Sequence, residues 1–142
     1  MVHALSEAWR VLRVAGKLVD LRPATSNWLV EVVTVAGATT AGQLDDTPFG
    51  PTEVAANAAI AEVVEAGRFE PESEVSFQYN YYWDSVGDMA DYIAEKWSDS
   101  AVLPDSVRAE AGRRVQRSTV PAQLRVIRTM HLASYRKPLP VG

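Results

Sequence analysis

The sequence contains no cysteine, two histidines and no long apolar run. The absence of cysteine excludes a disulfide framework, a thiolate metal site and a thiol nucleophile. His3 and His131 are too few for a histidine-rich metal site, so we expect no metal. The short apolar runs predict neither a membrane span nor a signal peptide. We therefore expect a cytoplasmic protein with no membrane partner.

Positive charge is scarce in the first hundred residues. Residues 1–100 hold 6 basic and 16 acidic side chains, whereas residues 101–142 hold 8 basic and 2 acidic ones. The net charge of −4 argues against a nucleic-acid-binding surface, and no nucleic-acid partner is expected. The opposite charges predict that the two segments attract each other. The alternatives are a solvated helix face and a polyanion-binding tail. The arginines of that helix face would be Arg108, Arg113, Arg114 and Arg117.

The chain has 142 residues and 47% hydrophobic content, which is typical of one domain spanning 1–142. Its periodicity predicts an α+β or α/β fold. The predicted helices cover about 5–12, 52–67, 85–97 and 103–115, the strands cover 17–21, 74–83 and 122–136, and a hairpin covers 28–44. Gly16 is expected to end the first helix with a left-handed cap. The four small residues Val54, Ala58, Ala61 and Val64 are expected to face the sheet.

Two strands have a distinctive pattern. In 74–83 the odd positions from Val75 to Trp83 are apolar or aromatic, which predicts a strand with one face on the core. In 122–136 the apolar side chains fall on even-numbered positions and therefore share one face of the strand. Arg128 interrupts that face with a charge.

Three polar features outside these patterns have simple structural interpretations. The pair Asp45-Asp46 is expected to form a turn rather than an acid/base dyad, because adjacent side chains point apart. His131 is expected to be half-buried and hydrogen-bonded within its strand. Ser85 is expected to cap a helix.

The segment EAWRVLRVAGKLVDLRP, residues 7–23, resembles a block of class I S-adenosylmethionine-dependent methyltransferases. That block reads E-x-x-R-V-L-R-P-G-G-x-L and lies where the helix after strand four enters strand five. The chain departs from it at Val14 and Ala15, where the family has Pro-Gly, and keeps Gly16. One glycine is enough for the helix to stop and reverse onto the sheet.

The resemblance implies the C-terminal half of a methyltransferase. The fold would be a partial Rossmann-like sheet, mixed, with the last strand antiparallel and helices packed on it. Strands 17–21, 122–136 and 74–83 would lie side by side in that order, and the hairpin over 28–44 would be an insertion.

The same resemblance implies that this chain has no cofactor site of its own. The family binds S-adenosylmethionine through a glycine-rich loop and two acidic residues that precede the matched block. No G-x-G-x-G occurs in the sequence. S-adenosylmethionine is therefore the family cofactor, and we expect that this chain alone does not bind it.

The family topology also implies a set of ligand-facing residues at one sheet edge, without a catalytic residue among them. They are Arg22, Asn27, Trp28, Tyr82, Trp83, Asp84, Gln123 and Arg125. Their aromatic and arginine content suits a planar or acidic small molecule. The alternative is that Trp28 and Trp83 belong to the core and that Arg22 is a surface charge.

Three functions remain open at this level. The chain is a non-catalytic methyltransferase-like binding or assembly domain, the acceptor-side component of a split methyltransferase acting on a small molecule, or a remnant. Strand 17–21 lacks its usual neighbour, so we expect a homodimer or a cofactor-binding partner chain to cover its edge.

Overall fold

The structure is a computed structural model that describes residues 1–140. Its elements are, in chain order, α1 (Val2–Val11), β1 (Lys17–Pro23), β2 (Leu29–Thr34), β3 (Gly37–Gln43), a short 3-10 helix (Thr47–Phe49), α2 (Gly50–Glu65), β4 (Glu70–Trp83), α3 (Val86–Lys96), α4 (Asp105–Arg117) and β5 (Gln123–Arg136). The predicted α/β class is confirmed.

The five strands pair through β5, which is the shared neighbour of β1, β2 and β4. The ladders of β1 and β2 with β5 are antiparallel, with Leu21 opposite Leu132 and Val30 opposite Val126. The predicted order, in which β5 separates β1 from β4, is confirmed, as is the antiparallel last strand. All three ladders with a defined register are antiparallel. None of them shows the parallel pairing that a mixed, Rossmann-like sheet requires, and that part of the fold stays a prediction.

The predicted hairpin is formed by β2 and β3, which are antiparallel and joined by a two-residue turn at Val35-Ala36, just before Gly37. Gly37 has a φ of +132°, a conformation that L side chains rarely adopt. Gly42 is needed for a different reason: a Cβ there would lie 2.6 Å from the Val107 Cγ2 atom. This glycine lets α4 pack directly on β3.

The chain divides into two compact units, and it passes from one to the other within β4 and β5. Unit 1 contains Met1–Ala24, Pro51–Phe77 and the chain from Met130 onward; unit 2 contains Thr25–Gly50 and Gln78–Thr129. The expectation of one domain over 1–142 stays a prediction.

Unit 1 is built around α2, which buries Ala56, Ala59 and Val63. The predicted inward stripe was wrong, since Val54 on it is 68% exposed. The alanine-rich helix is apolar on most of its surface, so its sequence pattern defines the buried face poorly. Tertiary packing selects a different set of positions at the same helical spacing.

The end of α1 also differs from the prediction. The left-handed residue is Ala15, with a φ of 61°, and not Gly16. Lys137 closes this end of the helix, because its Nζ donates to the carbonyl oxygens of Trp9 at 2.6 Å and Leu12 at 2.7 Å. A cation at a helix C-terminus satisfies free carbonyls and opposes the negative end of the helix dipole.

The outer part of β4 does not face a core. Val75, Phe77 and Tyr79 are 52%, 40% and 52% exposed, so the predicted buried face was wrong for these positions. Only Tyr81 and Trp83 pack against a buried cluster. Alternation along a strand tells which side chains share a face, but not whether another element covers that face.

Unit 2 contains the main hydrophobic core. Two strands, two helices and the loops beside them contribute buried side chains, namely Trp28, Val30, Val32, Leu44, Met89, Ile93, Trp97, Ala101, Val107, Ala111, Leu124 and Val126. Full burial of one large side chain of this kind stabilises the fold by about 1.5–3 kcal/mol. The helices α3 and α4 therefore hold β2 and β5 from one side.

The expected attraction between acidic and basic segments is found within each unit. In unit 1, Arg136 forms an ion pair with Glu70 at 3.0 Å. In unit 2, Arg125 forms one with Glu31. In each pair the basic residue comes from β5 and the acidic residue from an earlier strand.

A pair of substitutions tests the corner between α1 and β1. Ala15→Gly should raise the free energy of unfolding by up to about 1 kcal/mol, because glycine removes the cost of a left-handed alanine. Gly16→Ala should lower it by about 1–3 kcal/mol, since its Cβ would lie 2.7 Å from the Arg13 carbonyl oxygen. Urea denaturation measures both, and the opposite signs would contradict this assignment.

Candidate functional site

Five aromatic side chains of unit 2 form a continuous group, which we call the aromatic cluster. Its members are Trp28, Tyr81, Trp83, Tyr92 and Trp97. The Tyr81 and Trp97 ring centroids lie 4.8 Å apart and nearly perpendicular, and those of Trp28 and Trp97 lie 5.8 Å apart. Edge-to-face pairs of this kind are favoured by the charge distribution of aromatic rings.

Local structure explains how these rings meet. Tyr81 and Trp83 are two residues apart on β4 and therefore share a face. Trp97 lies at the C-terminal end of α3, four residues after the buried Ile93, and so continues the helix's apolar stripe. The rings therefore meet because alternate residues of a strand share a face and because residues four apart on a helix share a face.

Trp28 is held by a loop that is pinned by Asp46. The Asp46 carboxylate is buried and accepts hydrogen bonds from the backbone N–H groups of Ser26 at 2.8 Å and Asn27 at 3.0 Å. Asn27 has a φ of 52°, the left-handed conformation that asparagine tolerates well. Trp28 follows directly and lies in the core, where it is 1% exposed.

Arg128 lies against the aromatic cluster. It shares the parity of Leu124 and Val126 on β5 and is only 9% exposed. Its guanidinium carbon is 4.2 Å from the Trp28 ring centroid and 4.8 Å from that of Trp97. Both contacts are within the range of cation–π attraction, which strengthens when water is excluded.

The electrostatic surroundings of Arg128 are unusual. Among residues 1–140 its Nε is buried without a hydrogen-bond acceptor, and its guanidinium forms no ion pair with a carboxylate. Burial lowers the pKa of Arg128, while a hydrogen bond with the Tyr81 hydroxyl opposes that shift. An arginine starts so far above neutral pH that the group stays charged.

Sequence reasoning did not select Arg128 as a site residue. The signal was present, because a charge at an apolar position of a strand is costly unless something compensates for it. The alternation of apolar residues predicts only that the Arg128 charge interrupts the pattern. The side chain instead follows the pattern and lies on the buried face.

A second group of polar side chains is gathered on the more exposed face of the same strands. Arg125 Nε donates to the Glu31 carboxylate at 2.8 Å, and its Nη1 lies 3.4 Å from the Tyr82 hydroxyl. The hydrogen bonds with Tyr82 and Glu31 raise the pKa of Arg125. This arginine already has its anionic partner.

Asp84 and Gln123 lie beside each other, with the Gln123 amide donating to the Asp84 carboxylate at 2.8 Å. Both line an open groove of about 560 Å³ near the hairpin. Of the described residues that line this groove, Asp84 alone is charged, and its carboxylate already accepts a hydrogen bond from Gln123.

The structure divides the predicted ligand-facing residues into separate groups. Tyr82 contacts Arg125, and Asp84 contacts Gln123, whereas Trp28 and Trp83 pack in the aromatic cluster. Asn27 is exposed in the loop before β2.

Arg22 belongs to unit 1 and joins β1 to α2. Its guanidinium donates to Asp20 at 2.9 Å, to the Asn57 side chain at 2.6 Å and to the Glu53 carbonyl oxygen at 3.4 Å. These contacts give Arg22 a packing role.

The Ser85 cap is confirmed, and so is the half-burial of His131, whereas the hydrogen bond expected for His131 stays a prediction. The Asp45-Asp46 pair forms no dyad, but Asp46 is buried and therefore does not lie in a solvated turn. Asp45 bonds to Thr47 while Asp46 bonds to a separate loop, so the two carboxylates do not form a dyad. His131 is half-buried with Nδ1 3.5 Å from the Glu74 carboxylate. The Ser85 hydroxyl accepts the Asp88 N–H at 3.0 Å and caps α3.

Two negative findings apply to residues 1–140. No three side chains of the metal-ligating types come together there. No helix in this part of the chain is long and apolar enough to cross a bilayer. Comparisons with family models, with curated proteins and with solved structures find no match to the chain.

Substitution of Asp46 tests the loop that orients Trp28. Asp46→Ala should lower the free energy of unfolding by about 1–3 kcal/mol, because two backbone donors lose their acceptor. Chemical denaturation followed by tryptophan fluorescence measures the change. Asp99→Ala, at an exposed carboxylate, is the control, and an equal effect of the two substitutions would exclude the proposed contribution of Asp46.

The titration of Asp45 provides a pH test. The Thr47 hydroxyl and backbone N–H lower the pKa of the Asp45 carboxyl. A lowered folded-state pKa stabilises the fold above the unfolded-state pKa, and this contribution disappears as the pH falls through the folded-state value. Thr47→Val should therefore raise the Asp45 midpoint in a carboxyl NMR titration. An unchanged midpoint would show that the hydroxyl has no part in the shift.

Proposed function

We propose that the chain is a methyltransferase-like module without its own S-adenosylmethionine site, and that it acts by binding or assembly. The observation that carries the proposal is the position of β5, antiparallel between β1 and β4. This is the strand order that the resemblance of residues 7–23 implies. The sheet would then be the end of a Rossmann-like methyltransferase sheet. The composition supports a cytoplasmic location, because the chain has no cysteine and no long apolar run.

The distribution of glycine supports the part of the proposal that concerns the cofactor. A methyltransferase cradles its cofactor with a glycine-rich loop between a strand and a helix. Here Gly37 and Gly42 lie in the hairpin, and Gly16 lies between α1 and β1. None of these glycines lies in a glycine-rich loop that connects the end of a strand to the start of a helix.

The open edge of β1 supports the assembly role. Among residues 1–140, β1 forms a ladder with β5 alone, and the hairpin pairs with β5 rather than with β1. Val19 and Leu21 on this strand are 60% and 56% exposed. An edge with free backbone groups and apolar side chains is a ready template for another strand.

Our first candidate for the partner is a second copy of the chain. A two-fold axis would pair β1 with its own copy and cover Val19 and Leu21 on both protomers. The second candidate function is the acceptor-side component of a split methyltransferase that acts on a small molecule. The same open edge favours it, because a cofactor-binding partner chain would supply the missing strand.

Calorimetric titration with S-adenosylmethionine tests the cofactor part of the proposal. The purified chain should give no saturable heat, since it has no loop to cradle the cofactor. The titration is repeated with S-adenosylhomocysteine as the product analogue. Saturable micromolar binding of either compound would overturn the proposal.

Sedimentation at high micromolar concentration tests the assembly part. The mass should be twice the chain mass of 15.5 kDa. Leu21→Lys should give a folded monomer, because the exposed side chain is lost from the interface rather than from a core. Val35→Lys, at a 90% exposed position of the hairpin turn, is the matched control and should remain dimeric. A monomeric native chain would exclude the homodimer. A cofactor-binding partner chain would then be the remaining candidate for the open edge of β1.

A further inference from the structure

A cavity of about 320 Å³ opens in unit 2 between the second half of α3 and the first turn of α4. Its lining includes the aliphatic side chains of Ile93, Ala101 and Leu103. Ile93 and Ala101 belong to the hydrophobic core, and Leu103 packs against that core. Sites for small molecules have volumes of roughly 300–1,000 Å³ and mostly apolar walls. The cavity therefore has the size and the lining of a site for a small ligand.

The segment between α3 and α4 that lines the cavity is held by backbone hydrogen bonds. The Ala101 N–H donates to the Trp97 carbonyl oxygen at 2.8 Å. Val102 and Asp45 exchange two backbone hydrogen bonds, with N···O distances of 2.8 and 2.9 Å. This wall is formed without a ligand, so binding needs little ordering of the chain.

A ligand can reach the cavity from solvent. Three of the uncharged residues that line it, Ala94, Ser98 and Val102, are exposed. The two charged residues that line it, Asp105 and Arg108, are exposed as well. The cavity thus has an apolar inner part and an accessible rim with two opposite charges.

The two rim charges are unpaired. Asp105 and Arg108 are three residues apart in α4 and therefore lie on the same side of the helix. Among residues 1–140 neither side chain forms an ion pair or a hydrogen bond, not even with the other. Glu110 on the same helix, by contrast, pairs with both Arg113 and Arg114. The rim therefore offers one free anion and one free cation beside an aliphatic wall.

We propose that this cavity binds a free α-amino acid with a branched aliphatic side chain. The carboxylate of the ligand would accept charge-assisted hydrogen bonds from the Arg108 guanidinium, and its ammonium group would donate to the Asp105 carboxylate. The aliphatic side chain would displace water from the wall formed by Ile93 and Leu103. Both charged groups of an α-amino acid are bonded to one carbon, which suits two side chains that are neighbours on a helix.

Simpler ligands fit the rim less well. A carboxylate without an ammonium group would be attracted by Arg108 and repelled by Asp105, and an amine without a carboxylate would meet the reverse. The residues that line the cavity include no aromatic ring on which a planar ligand could stack. A zwitterion with an aliphatic side chain matches both the charges and the wall.

This inference goes beyond the proposed assembly function and is independent of it. It uses only residues of unit 2 and needs neither the β1 edge nor S-adenosylmethionine. A failure of the dimer or cofactor experiments would leave it intact, and its own failure would leave them intact.

Calorimetric titration with L-leucine tests the proposal. Three analogues each remove one part of the ligand: isocaproate lacks the ammonium group, isoamylamine lacks the carboxylate, and glycine lacks the side chain. Leucine should give a saturable heat. Each analogue should bind about tenfold more weakly or worse, because each loses a charge-assisted contact or the apolar one.

A substitution that fills the cavity tests where the ligand binds. Ala94→Leu places a larger side chain at the cavity wall, at an exposed helix position where leucine is a good helix former. It should abolish leucine binding while the chain stays folded by circular dichroism. Ala109→Leu, at an exposed position of α4 outside the lining, is the matched control and should bind as the native chain does.

Two further variants assign the charged contacts. Arg108→Gln should lower leucine affinity about tenfold and remove the advantage of leucine over isoamylamine. Asp105→Asn should lower it about tenfold and remove the advantage over isocaproate. Arg117→Gln and Asp91→Asn remove the same charges from exposed positions outside the lining and should leave leucine binding unchanged.

The outcomes decide the proposal. The absence of a saturable heat with leucine would overturn it, as would binding of isocaproate or isoamylamine as tight as that of leucine. Unchanged leucine affinity in Ala94→Leu would place the binding outside this cavity and also overturn it. If Ala94→Leu does not fold, the analogue series on the native chain and on the Arg108→Gln and Asp105→Asn variants still decides.

Discussion

The pairing of β5 with three other strands is the interaction on which the sheet depends. The backbone groups of β5 are satisfied by β1, β2 and β4, and without this strand only the β2–β3 hairpin would retain a ladder. A buried backbone donor or acceptor without a partner costs as much as a lost hydrogen bond, so this arrangement leaves little freedom for the neighbouring strands. The β2–β3 hairpin adds to the ladder of β5 through β2. Among residues 1–140 the hairpin forms no ladder with β1.

Unit 2 places a positive charge where an apolar side chain would be expected. The rings of Trp28 and Trp97 make this possible, since they attract the guanidinium while excluding water. The same enclosure makes the absence of an anionic partner expensive. Arg125, three residues earlier on β5, lies on the opposite face and is paired with Glu31.

Unit 1 has a different exposed feature. Its strand β1 has an unpaired edge among residues 1–140 and two exposed apolar side chains, and α1 buries none of its residues. Arg22 is one of the residues expected to face a ligand. Its guanidinium donates to Asp20 on β1 and to Asn57 on α2, and so links the two elements. The proposed assembly role depends on this exposed edge of β1.

The sequence by itself determined the number and type of the elements, the cap at Ser85, the hairpin and, through the likeness of residues 7–23, the position of β5. The elements, the cap and the hairpin depend on local periodicity and turn chemistry, whereas the expected position of β5 came from a resemblance. Only the tertiary structure decided which face of α2 is buried, that Val75 and Phe77 are uncovered, and that Ala15 rather than Gly16 is left-handed. It also decided that Arg128 lies between ring systems from distant segments. Periodicity defines a face, but burial and charge compensation depend on what other parts of the chain bring to that face.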